Sequence, residues 1–229
     1  HRDLHRLIRR QRQMCIRDSV PADYPTIQQA INAANSGDEI VVSPGTYYEN
    51  INIGGKNIIL RSTDPTNSSV VASTIIDGSA SNPVVTFSGS ESPSCVLSGF
   101  TIRNGFTKGC GSGIRGNATM ATIQYNVFSN NYALDSGTLH MCNGTIQNNI
   151  ISNNTTSYGG GACYYCTGTI QNNTISGNNG YQGGGLNYCL GTIQNNIISG
   201  NVAHSGGGLY HCTGTIQNNI IYNLSLIHI

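Results

Sequence analysis

Tyrosine, cysteine and a few carboxylates are the residues of this chain whose chemistry could be put to use. Tyr164, Tyr165, Tyr188 and Tyr210 flank a recurring cysteine, and Tyr158, Tyr181 and His204 stand just before a recurring triglycine. Each ring offers an apolar body and a polar tip. Rings repeated at a fixed interval suit an extended polysaccharide, so Tyr158, Tyr164, Tyr165, Tyr181, Tyr188 and Tyr210 are candidate carbohydrate-binding residues. The competing expectation is that these rings only cover the apolar stem of the fold.

Cys142, Cys166, Cys189 and Cys212 occupy one repeat site, with Cys163 three residues before Cys166. Zinc needs four ligands converging as a tetrahedron. Cys163 and Cys166 with His140 and His211 supply the types, but a column spreads its ligands along an axis at one per repeat. A disulfide needs Cα atoms roughly 4.4–6.8 Å apart and a specific torsion, which parallel Cβ vectors meet poorly. We expect a buried thiol stack acting as small apolar filler, with no metal and no cofactor.

Polysaccharide hydrolysis needs a pair of carboxylates. From Gly109 to Asn223 the only charged residues are Arg115 and Asp135. Arg61, Asp64, Asp77 and Glu91 lie upstream at spacings that form no constellation, and we expect them to be solvated turn residues.

The element that must position these residues is a repeat. Gly-Thr-Ile-Gln begins at Gly144, Gly168, Gly191 and Gly214, with a degenerate copy at Ala121, at spacings of 23, 24, 23 and 23. A period near 23 admits a leucine-rich repeat or a β-solenoid. The third leucine site of the first is glycine here, and no unit shows apolar spacing of 3.6 residues, which also excludes helical repeats. What remains is an all-β, right-handed single-stranded parallel β-helix of about three short strands per coil.

Stacked coils lie about 4.8 Å apart, so equivalent residues form columns. Ile123, Ile146, Ile170, Ile193 and Ile216 should form one inward stack, and Phe128, Ile151, Ile175, Ile198 and Ile221 another. Asn126, Asn149, Asn173, Asn196 and Asn219 should form a polar ladder, joined by Asn131, Asn154, Asn178 and Asn201. Asn suits these sites because it tolerates left-handed backbone, and its amide can bond from coil to coil.

The start of the body reads differently. Ile27, Ala30, Ile31 and Ala34 are spaced as one face of a helix, and Asn35-Ser36-Gly37 ends it. We read 24–36 as a capping helix, 37–120 as irregular coils and 121–223 as regular repeats. His1–Ser19 holds six of the arginines and none of the body's Gly or Asn. Met14–Ser19 and Leu224–Ile229 look like translated sequencing-adapter DNA from a metagenomic assembly, so 1–19 and 224–229 are expected to be non-native tails around a β-helix domain at 20–223. A chain so ended has an uncapped C-terminal coil, open to end-to-end self-association.

Asp23-Tyr-Pro-Thr-Ile-Gln-Gln-Ala-Ile31 and Gly37-Asp-Glu-Ile-Val-Val-Ser-Pro-Gly-Thr-Tyr-Tyr-Glu49 resemble the opening of pectin-methylesterase-like proteins. The repeats resemble the parallel β-helix repeat of the pectin-lyase-like superfamily, and the Gly-Gly-Gly-[Leu/Ala] units resemble repeats of bacterial surface adhesins. The resemblance spans about 20–223. It implies the fold strongly and an activity weakly, because the superfamily holds lyases, hydrolases, esterases, adhesins and sugar binders. The esterase pattern's Asp-bearing strand is absent here.

Composition narrows the classes. The chain has 229 residues, 9% of them charged against roughly 25% in an average globular protein. Arg2, Arg6, Arg9, Arg10, Arg12 and Arg17 against Asp3 and Asp18 give +4, and the remaining five basic and eight acidic residues give −3. A weakly acidic body argues against nucleic acid as partner. No apolar run approaches the roughly 20 residues of a membrane span. The expectation is a non-catalytic module, extracellular or at a bacterial cell surface, that binds polysaccharide or mediates adhesion. A fragment of a polysaccharide-active enzyme and a purely structural rod are the alternatives.

Overall fold

A computed structural model describes residues 17–135 and 137–226. Residues 1–16 and 227–229, which are parts of the expected tails at 1–19 and 224–229, and Ser136 lie outside the described residues. The chain winds into a right-handed parallel β-solenoid of about nine coils. Every strand pairs in parallel with its counterpart one coil away, building sheets of nine, eight, seven and six strands. In chain order around a regular coil these are a Gln face (Thr145–Gln147), a Ser face (Ile150–Ser152), a short face (Thr155–Thr156) and a Tyr face (Cys163–Tyr164).

The expected three strands per coil hold only for the first turns. The short face begins at Phe106–Thr107 and persists to Ser225–Leu226, adding a fourth side. Its strands are two to four residues long and carry Ala, Thr, Gly or Val, which gave no apolar run to read.

Side-chain alternation sorts each strand. Ile123, Ile146, Ile170 and Ile193 stack inward with at most 1% exposure, beside Phe128, Ile151, Ile175 and Ile198 at 0%. Burying each such side chain contributes about 1.5–3 kcal/mol. Ile216 and Ile221 continue the columns but are exposed in the last described coil, along with Ile220 and Tyr222.

The coil turns by one device used at three corners. A residue in the left-handed region is followed by an inward side chain that hydrogen-bonds across coils. Between the Gln and Ser faces the left-handed residues are Tyr125, Asn148, Asn172, Asn195 and Asn218, and Asn126, Asn149, Asn173, Asn196 and Asn219 follow them. Asn130, Asn153, Gly177 and Gly200 likewise precede Asn131, Asn154, Asn178 and Asn201. This corrects the expectation that the ladder asparagines themselves are left-handed: the residue before each one is. The ladders are otherwise as expected. Asn149 Nδ2 donates to Ile123 O at 2.9 Å and to Asn173 Oδ1 at 3.1 Å, and the pattern recurs up both columns. A third ladder was not foreseen: Gln147, Gln171 and Gln194 each pass an amide hydrogen to the glutamine one coil earlier at 2.8 Å.

The capping helix α1 spans Ile27–Ala33 and buries Ile27, Ala30 and Ile31. Thr26 caps it, and the Glu49 carboxylate accepts from the Ile27 and Gln28 amides at 2.9 Å each, where the helix dipole favours negative charge. A second helix, α2 (Ser68–Ser73), was not anticipated; it has too few residues to show a period and is capped by Asn67. The described residues of both segments expected to be tails join the solenoid. Arg17–Val20 pairs with Glu39–Val42, and Ser225–Leu226 extends the short face.

Two of the early carboxylates are not solvated turn residues. Asp77 is 4% exposed and accepts from Arg103 Nε at 2.8 Å and Asn104 Nδ2 at 2.9 Å. Glu91 is 1% exposed and accepts from the amides of Gly55, Ser88 and Gly89 at 3.0, 2.8 and 2.9 Å. Arg61 pairs with Glu39 at 2.6 Å. Only Asp64 fits the expectation, accepting from Thr66 within an exposed turn.

Candidate functional site

The third corner, at the end of the Tyr face, builds the ring-lined surface. Met141, Tyr165, Tyr188 and His211 are left-handed there, with φ near 50°. Asn or Gly would hold that conformation at less cost than a bulky residue, by about 1–2 kcal/mol. The rings recover part of it by stacking. Tyr165 and Tyr188 lie 5.0 Å apart at 10°, and Tyr188 and His211 4.9 Å apart at 4°. Parallel register brings the Tyr-face residues Arg115, His140, Tyr164, Asn187 and Tyr210 into a second row. His140 stacks on Tyr164 at 5.6 Å, and Tyr164 and Tyr210 meet the first row edge-on.

The six candidate tyrosines therefore fall into two groups. Tyr164, Tyr165, Tyr188 and Tyr210 share the Tyr-face ridge. Tyr158 and Tyr181 stand at the short face, where Tyr181 stacks on His204 at 5.0 Å and Tyr158 is 70% exposed. Sequence reasoning weighed His140 and His211 only as zinc ligands; their place in the ring rows shows once the coils are aligned residue by residue. Asn187 interrupts the second row: it is buried and gives its amide to Gln182 O at 3.0 Å.

The stacking also fixes what the rings can offer. Rings about 5 Å apart cover one another's faces, so an incoming sugar meets edges and hydroxyl tips, not open faces. Arg115 is the one Arg, Lys, Asp or Glu in these rows. Burial, with the neighbouring Tyr165 and Cys110, pushes the Tyr164 phenol up to about 12, so it stays a donor. Burial pushes His140 down, the nearby Cys166 opposes and Arg115 reinforces the shift.

Behind this ridge lies the cysteine column, buried as expected except for half-buried Cys212. It is not mere filler. Cys142 Sγ donates to His140 O at 3.6 Å, Cys166 to Tyr164 O at 3.7 Å and Cys212 to Tyr210 O at 3.5 Å, each closing its own corner. One coil earlier Thr119 pairs in register with Cys142, another small side chain with a hydrogen to give. Among the described residues no three His, Cys, Asp or Glu side chains are placed to hold a metal ion.

The fold and this surface define a parallel β-solenoid with a ring-lined ridge. No protein-family model, curated protein or solved structure matches the chain.

Proposed function

We propose that the protein is a non-catalytic β-solenoid module, secreted or held at a cell surface, that binds an extended neutral polysaccharide along its Tyr-face ridge. The observation that carries this reading is the unbroken row Tyr165, Tyr188 and His211, which sets one polar ring tip per coil. Sugar units repeat at roughly the coil spacing of 4.8 Å, so a glycan parallel to the axis meets one donor per unit. The carboxylates give no support to an enzyme reading, because Asp77 and Glu91 are tied into structural bonds. Hydroxyl and edge contacts at a solvated surface leave an affinity of about millimolar to micromolar after ordering costs. With no Lys, Arg, Asp or Glu in that row, binding should depend little on salt.

One observation favours the structural rod instead: the ring faces are spent on each other and offset a strained corner. A single variant separates the two. Tyr188→Phe keeps the stack and removes the tip. In affinity electrophoresis on xylan, glucan and pectin it should lose retention with its melting temperature unchanged. Retention on none of these glycans by the native chain, or equal retention of Tyr188→Phe, would leave the rod.

A further inference from the structure

Arg115 and Asp135, the only charged residues between Gly109 and Asn223, are brought by the fold to one corner. The loop after the short face stacks on its copy one coil earlier, with Leu134 N donating to Thr107 O at 2.9 Å and Asp135 N to Gly109 O at 3.3 Å. A Cβ on Gly109 would stand 3.8 Å from Arg115 Nη2, from Asp135 Oδ2 and from Thr107 Oγ1. The glycine thus leaves one small open space bordered by a guanidinium, a carboxylate and a hydroxyl. The two charges form no ion pair with each other or with any other described residue. Arg115 Nη2 donates to Thr107 Oγ1 at 3.1 Å, and the exposed Asp135 carboxylate accepts no hydrogen bond among the described residues. Tyr158 stands one coil on. Ala133 and Thr156 pair in register, so Asp135 and Tyr158, two residues after each, hold the same place on neighbouring coils. Tyr158 is 70% exposed and stacks on no other described ring. It therefore has an open face, which the stacked rings of the ridge lack.

A carboxylate only accepts hydrogen bonds, a guanidinium only donates them, and a hydroxyl does both. The first two, side by side and unpaired, suit a ligand that gives and takes hydrogen bonds at adjacent atoms. Asp135 repels an anion and Arg115 a cation, so the group that fits both is neutral. The open Tyr158 ring adds a flat apolar platform next to them. We propose that Arg115, Asp135 and Tyr158 form a subsite for one neutral pyranose unit, its C–H face on the Tyr158 ring and two adjacent hydroxyls shared between the carboxylate and the guanidinium. The subsite rests on the glycan reading above and adds to it the chemistry of the unit that is gripped. Arg115 stands in register with His140 and Tyr164, so a chain held here runs on along the ridge.

The test is affinity electrophoresis of the whole chain on xylan, whose backbone units are uncharged and carry two adjacent free hydroxyls. Asp135→Ala and Tyr158→Ala remove side chains that hold nothing else among the described residues, so the melting temperature should stay as it is. Affinity should fall about tenfold or more in Asp135→Ala, the loss expected for a hydrogen bond to a charged group, and clearly in Tyr158→Ala. Gly109→Ala sets a methyl in the open space at ordinary contact distance, on a backbone that is not left-handed, and should weaken retention with the fold intact. On xylan acetylated at those hydroxyls, the native chain and Asp135→Ala should be retained equally. Native-like retention on xylan by any of the three variants, or a difference between the native chain and Asp135→Ala that survives acetylation, would overturn the subsite. So would no retention of the native chain on xylan. In each of these cases a Tyr188→Phe variant that loses retention on glucan or pectin keeps the ridge and removes only the subsite.

Discussion

Asn173 Oδ1 accepts two hydrogen bonds from Asn149 one coil earlier, from its backbone N at 2.9 Å and its Nδ2 at 3.1 Å. Asn173 Nδ2 in turn donates to Ile146 O and Gln171 O at 2.9 Å and to Asn196 Oδ1 at 3.0 Å. One 1%-exposed side chain thus satisfies backbone groups in two coils and a side chain in a third. Asn173→Ala strands the Asn149 amide and the Ile146 carbonyl without water, and should cost about 3 kcal/mol. Asn172→Gly, at the left-handed residue just before, should change stability little. Urea unfolding of both variants checks this, and equal losses would mean that the two corner roles are assigned to the wrong residues.

Ile193 is fully buried between Ile170 and Ile216 in register, whereas Gln194 points outward. Ile193→Asp places a carboxylate in that stack and should cost more than about 4 kcal/mol or prevent folding. Gln194→Glu removes one rung donor on a half-exposed ladder and should cost about 1 kcal/mol. Comparable melting shifts would refute the inward and outward assignment.

Glycine is required at Gly191 for a different reason than at Gly200. A Cβ on Gly191 would overlap Gly168 O and Thr167 O of the coil below. Gly200 has φ +61° and open space, with Gly177 N at 3.8 Å the nearest atom. Gly200→Ala should therefore cost about 1–2 kcal/mol through backbone strain alone. Gly191→Ala forces the coils apart and should cost clearly more. The order of the two melting temperatures is the readout.

The sequence made the solenoid legible because in-register stacking demands the same residue at the same place, and a 23-residue period of Ile, Asn and Gly reports that demand directly. The inward Ile columns and Asn ladders followed from it. What stayed hidden had no periodic apolar signal. The short face uses Ala133, Thr156 and Ala203 as its buried residues, and Asp77 and Glu91 sit in early coils where no repeat marks them. The ring surface was half legible: the tyrosines were visible, but their division into two rows depends on which of two adjacent residues, Tyr164 or Tyr165, takes the left-handed corner.

Glu91 should make the fold acid-sensitive. Burial alone would raise its pKa, but hydrogen bonds from the Ser88 and Gly89 amides outweigh that and hold the carboxyl below the usual range. Between the folded and unfolded values the unfolded chain binds more protons. The stabilisation is therefore present above the unfolded value, about 4.3, and fades as pH falls through the folded one. Glu91→Gln should lower stability at pH 7 and flatten the loss between pH 5 and 3. An unchanged pH slope in urea titrations of Glu91→Gln would assign the acid sensitivity to other groups.

Tyr188 shows whether the rings sustain the corner or burden it. Its left-handed backbone costs about 1–2 kcal/mol relative to glycine. Its stacks on Tyr165 and His211 contribute about 0.5–1.5 kcal/mol each. Tyr188→Ala keeps the strain and loses both stacks, so it should cost about 1–3 kcal/mol. Tyr188→Gly loses the stacks but relieves the strain, and should fall between Ala and the native residue. Tyr188→Phe should match the native stability. That order, measured by urea unfolding, is what a self-supporting ring row requires. A Tyr188→Gly variant more stable than the native chain would mean that the stack does not repay its backbone. The row would then be a stability cost, kept for what its hydroxyl tips bind, and the glycan reading would gain over the rod.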